Sequence, residues 1–266
     1  MTRQRPPFSM AAAQVAAIAQ NTFKEAVRSR VFYILLAFAV SLLVFSTALG
    51  SLAVGNLQRI ILDMGLSTIS WFSAMTAIFI GIGLVYQEIE KKTIFNILSK
   101  PLSRAHFLLG RYAGLLLVLA VNLAAMVSVL SLVLAFFGGF TTRVITAAGY
   151  MYLELMILTA VALFFSSITS PVVSALCTVA FYLIGHTSSS LALILVPLLQ
   201  RPWAKSFVMA LYHLLPDLNI LSINNLVVHD IPEAPGFAWR AVFYAFSMSA
   251  VLVIASILCF RKRDMV

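Results

Sequence analysis

The chain is poor in charge: only 10% of its 266 residues are Asp, Glu, Lys or Arg, against 62% hydrophobic. Soluble globular proteins carry about 25% charged residues, so an ordinary water-soluble domain is excluded. Cysteine is scarce as well. Cys177 and Cys259 both lie inside apolar runs, where a thiol behaves as a small hydrophobe, and they define neither a disulfide framework nor a redox compartment. The four histidines, His106, His186, His213 and His229, do not have the spacing of a zinc site, and no metal is expected. The sequence also lacks GxxxxGK[ST], and with it a phosphate-binding loop of its own. No Ser–His–Asp set suggests itself, so the chain is not expected to be an enzyme. Alternating Val, Ile and Thr patterns that would mark strands are missing too.

What remains is apolar sequence in long runs. A hydrocarbon core of roughly 30 Å needs about 20 residues of apolar helix to cross it. The runs predict an all-α polytopic membrane protein, a single transmembrane domain over residues 1–266. Its six spans fall at about 31–49, 65–86, 105–137, 146–165, 172–197 and 241–260. The first run is longer than the roughly 7–15 residues of a signal-peptide core, and is expected to stay as an anchor. Ahead of it, residues 14–30 read as an amphipathic helix. Val15, Ile18, Ala19, Thr22, Phe23 and Ala26 share one face, and Gln14, Asn21, Lys24 and Arg28 the other. Such a helix suits the membrane interface, basic face toward the headgroups. Pro171 ends a Ser-rich turn and suits the first turn of the fifth span. Residues 185–190, Gly-His-Thr-Ser-Ser-Ser, are expected to interrupt that span and to begin an irregular, partly re-entrant outer hairpin. Backbone broken at membrane depth must be buried in protein or line a wet cavity.

The net charge of +9 follows topology and does not point to nucleic acid. Arg3, Arg5, Lys24, Arg28, Arg30, Lys91, Lys92, Lys100, Arg104, Arg111, Arg261, Lys262 and Arg263 fall on one side. Arg59, Arg143, Arg201, Lys205 and Arg240 fall on the other. That asymmetry puts both termini in the cytoplasm, together with the charged island between the second and third spans.

The island, residues 86–112, concentrates Glu88, Glu90, Lys91, Lys92, Lys100, Arg104 and Arg111 between two charge-free runs. Residues 88–99 have helix character, with Glu88 four positions before Lys92. Pro101 stops that helix, and Ser103 is placed to cap the next. The product is a charged helical hairpin at the cytoplasmic surface. Its series, Glu88-x-Glu90-x-x-Thr93, then Pro101-Leu102-Ser103-Arg104, then Gly110-Arg111, resembles the signature of type-2 ABC transporter permeases. More narrowly, it is similar to the short six-span permeases related to those encoded with nitrous-oxide reductase maturation genes. The resemblance implies that Glu88, Glu90, Thr93, Pro101, Ser103, Arg104, Gly110 and Arg111 belong to a coupling region that docks on an ATPase subunit. Lys92 and Arg111 depart from the glycine and lysine that many members carry there, which touches only the fine docking.

The resemblance further implies a permease subunit of an ABC transporter, an exporter of the bacterial inner membrane. ATP and magnesium would be bound by a separate ATPase and no cofactor by this chain. A second permease copy is required because one chain supplies one coupling hairpin; a homodimer is expected, with a paralogous partner as the competitor. A non-transporting membrane scaffold and an ion-coupled secondary transporter are the alternatives. Inside the spans, Glu154 is the one acidic residue. Placing a carboxylate there costs about 2.5–3.5 kcal/mol on insertion scales unless it is paired or wetted. It is the first candidate for a translocation path, and Asn122 and His186 are weaker ones that can equally be interhelical glue.

The charge asymmetry makes a direct prediction. Single cysteines at Asn96 or Ser103, in intact cells, should resist a thiol reagent that cannot cross the membrane. Labelling from outside would invert the topology.

Overall fold

Peptide groups in hydrocarbon find no partner outside the chain, so the apolar runs must pair their backbones internally, and a helix does so within one segment. A computed structural model describes residues 8–52, 57–90, 104–137, 141–198, 218–228, 231 and 235–262, and all of its long elements are helices. They are α1 (Phe8–Val27), α2 (Arg30–Leu52), α3 (Leu57–Glu90), α4 (Arg104–Phe136), α5 (Arg143–Ile168), α6 (Pro171–Leu198), α7 (Asn224–Val228) and α8 (Phe237–Lys262), with a 3-10 turn at Leu218–Leu221. Among the described residues, five stretches are long and apolar enough to cross a membrane: Arg30–Ala48, Leu57–Gly83, Ala105–Phe136, Arg143–Ile168 and Phe237–Cys259. Where a further span was expected, at 172–197, there is a shorter apolar run, Pro171–Thr187. The chain is an all-α polytopic membrane protein.

The hub is α5. Residues 154–163 are buried without interruption, from Glu154 through Leu155, Met156, Ile157, Leu158, Thr159, Ala160, Val161 and Ala162 to Leu163. A helix apolar on all sides is covered on all sides. Here α8, α3, α4 and α6 supply the cover. On α8, Ala241, Ala245, Ser249 and Ser256 are buried and form a ridge of small residues, which lets two helices approach closely where no hydrophobic effect drives them together. Against α4 the seam carries two reciprocal hydrogen bonds. Tyr112 OH donates to Met156 O at 3.2 Å, and Tyr152 OH donates to Leu116 O at 3.3 Å.

The amphipathic N-terminal helix is present as α1, starting at Phe8 and ending at Val27. Its faces are those read from the sequence: Ala19, Thr22 and Ala26 are buried, while Asn21, Lys24 and Arg28 are exposed. The buried face lies chiefly on α4. A Cβ added at Gly110 would lie 2.6 Å from Ile18 Cβ and 3.0 Å from Val15 O; one at Gly114 would lie 2.6 Å from Thr22 Cβ and 2.7 Å from Ala19 O. Gly110 and Gly114, four apart on α4, thus form the floor of a groove that holds α1 against backbone.

Two expectations differ from the structure. The second span continues without a break to Glu90, so Glu88 and Glu90 extend α3 and do not open a separate helix. The fifth span is not interrupted at residues 185–190: α6 is one helix from Pro171 to Leu198. The reason is visible at Thr187, whose hydroxyl donates to Leu183 O; a Thr or Ser in this arrangement satisfies itself on its own helix without breaking it. The segment between α6 and α8, as far as it is described, is short and irregular. Its Leu218 and Leu221 are buried in the main core, with Leu218 lying over Gly185 of α6.

Valine at Gly114 should drive its methyls into the α1 backbone and cost about 1–3 kcal/mol, as overpacking does. Alanine at Gly149, which would meet nothing within 4 Å, should be neutral or stabilising by up to about 1 kcal/mol. Equilibrium unfolding in mixed detergent micelles measures both. Equal effects would mean the groove is not a tight contact.

Candidate functional site

Two places among the described residues hold an ionisable side chain away from the surface. The first is the groove between α1 and α4. Arg111 is 1% exposed, the least exposed charged side chain among the described residues, and its Nη1 lies 3.2 Å from Oε2 of Glu25 on α1. Its guanidinium also sits 5.8 Å from the centre of the Phe107 ring, within reach of a cation–π attraction. Gly110 beside it admits the α1 backbone. In the structure, then, Gly110 and Arg111 face α1.

The other members of the charged island are placed only in part. Glu88 and Glu90 belong to the last turn of α3, and Arg104 is the first residue of α4. Thr93, Pro101 and Ser103, like the helical hairpin expected over residues 91–103, lie outside the described residues.

The second place is in the middle of the hub. Glu154 sits eleven residues from the start of α5, about 16 Å along it, and is 3% exposed. Oε1 of Glu154 lies 3.5 Å from Nε2 of His186 on α6, at the long end of a hydrogen bond. The helix spacing of α6 puts Tyr182 one turn before His186, and the two rings stack with centroids 4.6 Å apart. Trp71 of α3 meets Tyr182 edge-on at 5.6 Å. The outer segment closes the group, with Asn219 Nδ2 donating to His186 O at 2.6 Å. One acid, one imidazole and two aromatic rings from three spans therefore converge, with the 3-10 turn holding the α6 backbone. Such a set can hold or pass a proton, or meet a cationic group with a carboxylate and aromatic faces.

Of the three translocation candidates, the structure brings Glu154 and His186 together. Asn122 lies elsewhere, fully buried on α4, with Nδ2 4.0 Å from Met126 Sδ, which also accepts from Ser73 of α3 at 3.7 Å. The hydroxyl of Tyr152, two residues before Glu154, goes to Leu116 O. Glu25, Trp71, Tyr182 and Asn219 were not anticipated. A signal existed for one contact: Gly110 and Gly114 form a small-xxx-small pattern, and Glu25 is the sole acid on α1. Nothing local in the sequence marks the other three. Among the described residues, no three His, Cys, Asp or Glu side chains gather as a metal site requires.

Comparison with known proteins adds one match. A family model described as ABC-2 family transporter protein matches residues 16–265, from within α1 to the residue before the last. No curated protein matches the chain.

The Glu154–His186 contact can be measured. A double-mutant cycle with Glu154→Gln, His186→Gln and the pair should return a coupling of about 0.5–2 kcal/mol, the range of interhelical polar contacts in membranes. Additive single effects would mean the two side chains do not act together.

Proposed function

The chain belongs to the ABC-2 family of transporter proteins, and from that premise we propose that it is the permease subunit of an ABC exporter driven by a separate ATPase. Family membership makes it a membrane transporter component. The observation that carries the finer reading is the extent of the match, residues 16–265, over a sequence with no phosphate-binding loop. The ATP-hydrolysing site then belongs to a partner.

The lengths of α3 and α4 support a docking surface between them. At 34 and 33 residues, each spans about 50 Å at 1.5 Å per residue, well beyond a hydrocarbon core of about 30 Å. The charged stretch from Glu88 to Arg104 connects two helix ends that can project from the membrane. Together with the family's need for an ATPase, this supports the assignment of Glu88, Glu90, Thr93, Pro101, Ser103 and Arg104 to the coupling region. The proposal places that region and both termini in the cytoplasm of a cell with the protein in its inner membrane, on the strength of the lysine and arginine asymmetry. Two copies form the working permease. The seam is assigned to α2 and α6, which expose Ile34, Phe38 and Phe45, and Val172, Leu176 and Leu183, with a paralogous second subunit as the competing arrangement. Glu154 and His186 are the residues proposed to line or gate the path.

Affinity purification in mild detergent tests the reading. A small ATP-hydrolysing protein should accompany the chain. Reversing charge at Glu88, Glu90 and Arg104 together should leave insertion intact and weaken that association about tenfold, equivalent to ~1.4 kcal/mol. Transport driven by an ion gradient, with no ATPase in the purified complex, would favour an ion-coupled carrier built around the Glu154–His186 pair.

A further inference from the structure

We propose that α1 and the beginning of α4 form one lever that carries motion from the ATPase-docking region to α2, with Glu25 as its positioning residue. The inference rests on the permease reading above and deepens it by naming the route. Arg111 stands seven residues into α4, at the far end of the charged island, and is buried against α1. Three features fix α1 to it. Gly110 and Gly114 bring the α4 backbone against Val15 O and Ala19 O. Thr22 donates its hydroxyl to Ile18 O at 2.9 Å, which leaves its methyl, 2.9 Å from a Cβ built at Gly114, to pack on α4. Glu25, itself 35% exposed, then supplies a counter-charge to a guanidinium that is 1% exposed. The pair is asymmetric: losing Glu25 removes a counter-charge from a buried guanidinium, whereas losing Arg111 leaves Glu25 in reach of solvent.

The output end is equally close-coupled. Arg28 N bonds to Lys24 O at 3.2 Å and Ser29 N to Ala26 O at 3.0 Å, and α2 begins at the next residue, Arg30. No slack separates the two helices. Ala26 and Phe32, on either side of this elbow, are buried in a small core of their own with Ile80 of α3, Leu115 and Val118 of α4 and Leu163 of α5. A shift of α4 therefore reaches α2 through α1, through the packed elbow, where Leu163 of the hub also sits, and through the contact α4 itself makes with α2. Physical adjacency alone does not establish coupling, and the decisive observation is whether these elements move together.

Three spin labels decide it, placed pairwise at Asn21 on α1, Leu117 on α4 and Leu258 on α8 in a chain whose Cys177 and Cys259 are replaced by serine. All three positions are exposed. In the complex with its ATPase, trapping with ATP and vanadate should leave the 21–117 distance unchanged while the 21–258 and 117–258 distances shift together. In Glu25→Gln, and in Glu25→Gln with Arg111→Met, which removes the stranded charge, the 21–117 distribution should broaden and the nucleotide-dependent 21–258 shift should be lost. The double variant guards against misfolding of the single one. The lever is overturned if 21–117 changes on trapping, if α1 stays still while α4 moves, if nothing moves, or if the double variant keeps the full shift. Those failures occur in a complex that hydrolyses ATP and leave the permease reading standing; absence of any ATPase from the wild-type complex removes the reading and the lever with it.

Discussion

The arrangement depends on α5 being covered on every side. In a lipid solvent an all-apolar helix has no reason to prefer protein over hydrocarbon, so its enclosure must come from shape and from polar bonds. Both are present. The small-residue ridge of α8 lets it lie close along α5, and Ser256 adds a hydroxyl bond to Leu163 O at 3.3 Å. The reciprocal Tyr112 and Tyr152 bonds tie α4 to the same helix. Once α5 is enclosed, a carboxylate at its middle reaches neither water nor headgroups. Glu154 can be accommodated only if a neighbouring span brings a partner, and α6 brings His186.

The same logic governs Arg111. Both are ionisable side chains inside the helix assembly, and both are answered by a residue on an element at its margin: Glu25 on α1 and His186 on α6. Each pairing is reinforced by a glycine at the contact. Gly110 and Gly114 admit α1, and Gly185 admits Leu218 beside the His186 carbonyl that Asn219 holds. Where the sequence spends a buried charge, it also removes a side chain so that the partner element can come near enough.

The fold class was legible because hydropathy and length are local properties, and a bilayer imposes one thickness on every helix that crosses it. The face of α1 was legible for the same reason: Ala19, Thr22 and Ala26 share it by helical period alone. Failures came where a local signal had a non-local answer. The Gly-His-Thr-Ser-Ser-Ser stretch looked like a break because it is polar, but Thr187 hydrogen-bonds within its own helix and His186 meets Glu154. Glu88 looked like the start of a helix because charge begins there, yet α3 simply runs on to Glu90. Glu25 and Arg111 are 86 positions apart, and no periodicity links residues that distant. Of the candidate site, Glu154 and His186 were each visible as anomalies, a carboxylate and an imidazole in apolar sequence. Their pairing, and the Trp71 and Tyr182 rings around it, required the fold.

The two polar ties also differ in kind from the packing of the hub, and that difference bears on motion. Close-packed small residues between α5 and α8 have no second arrangement without opening a void, so this pair behaves as the fixed part of the molecule. Interhelical polar contacts in membranes are worth only about 0.6 kcal/mol on average, because a polar group that loses one partner finds another. They are directional, however, so they define a position while they last. An element held by one polar tie and one glycine contact, as α6 is by His186 and Gly185, is thus held in register yet can be released at small cost, whereas α1, seated on two glycines and tied by Glu25 to Arg111, stays with α4. The main seat of α1 is on α4, and α6 lies on α5 and α3. These margins, rather than the enclosed hub, are where a transport protein of this build can change shape.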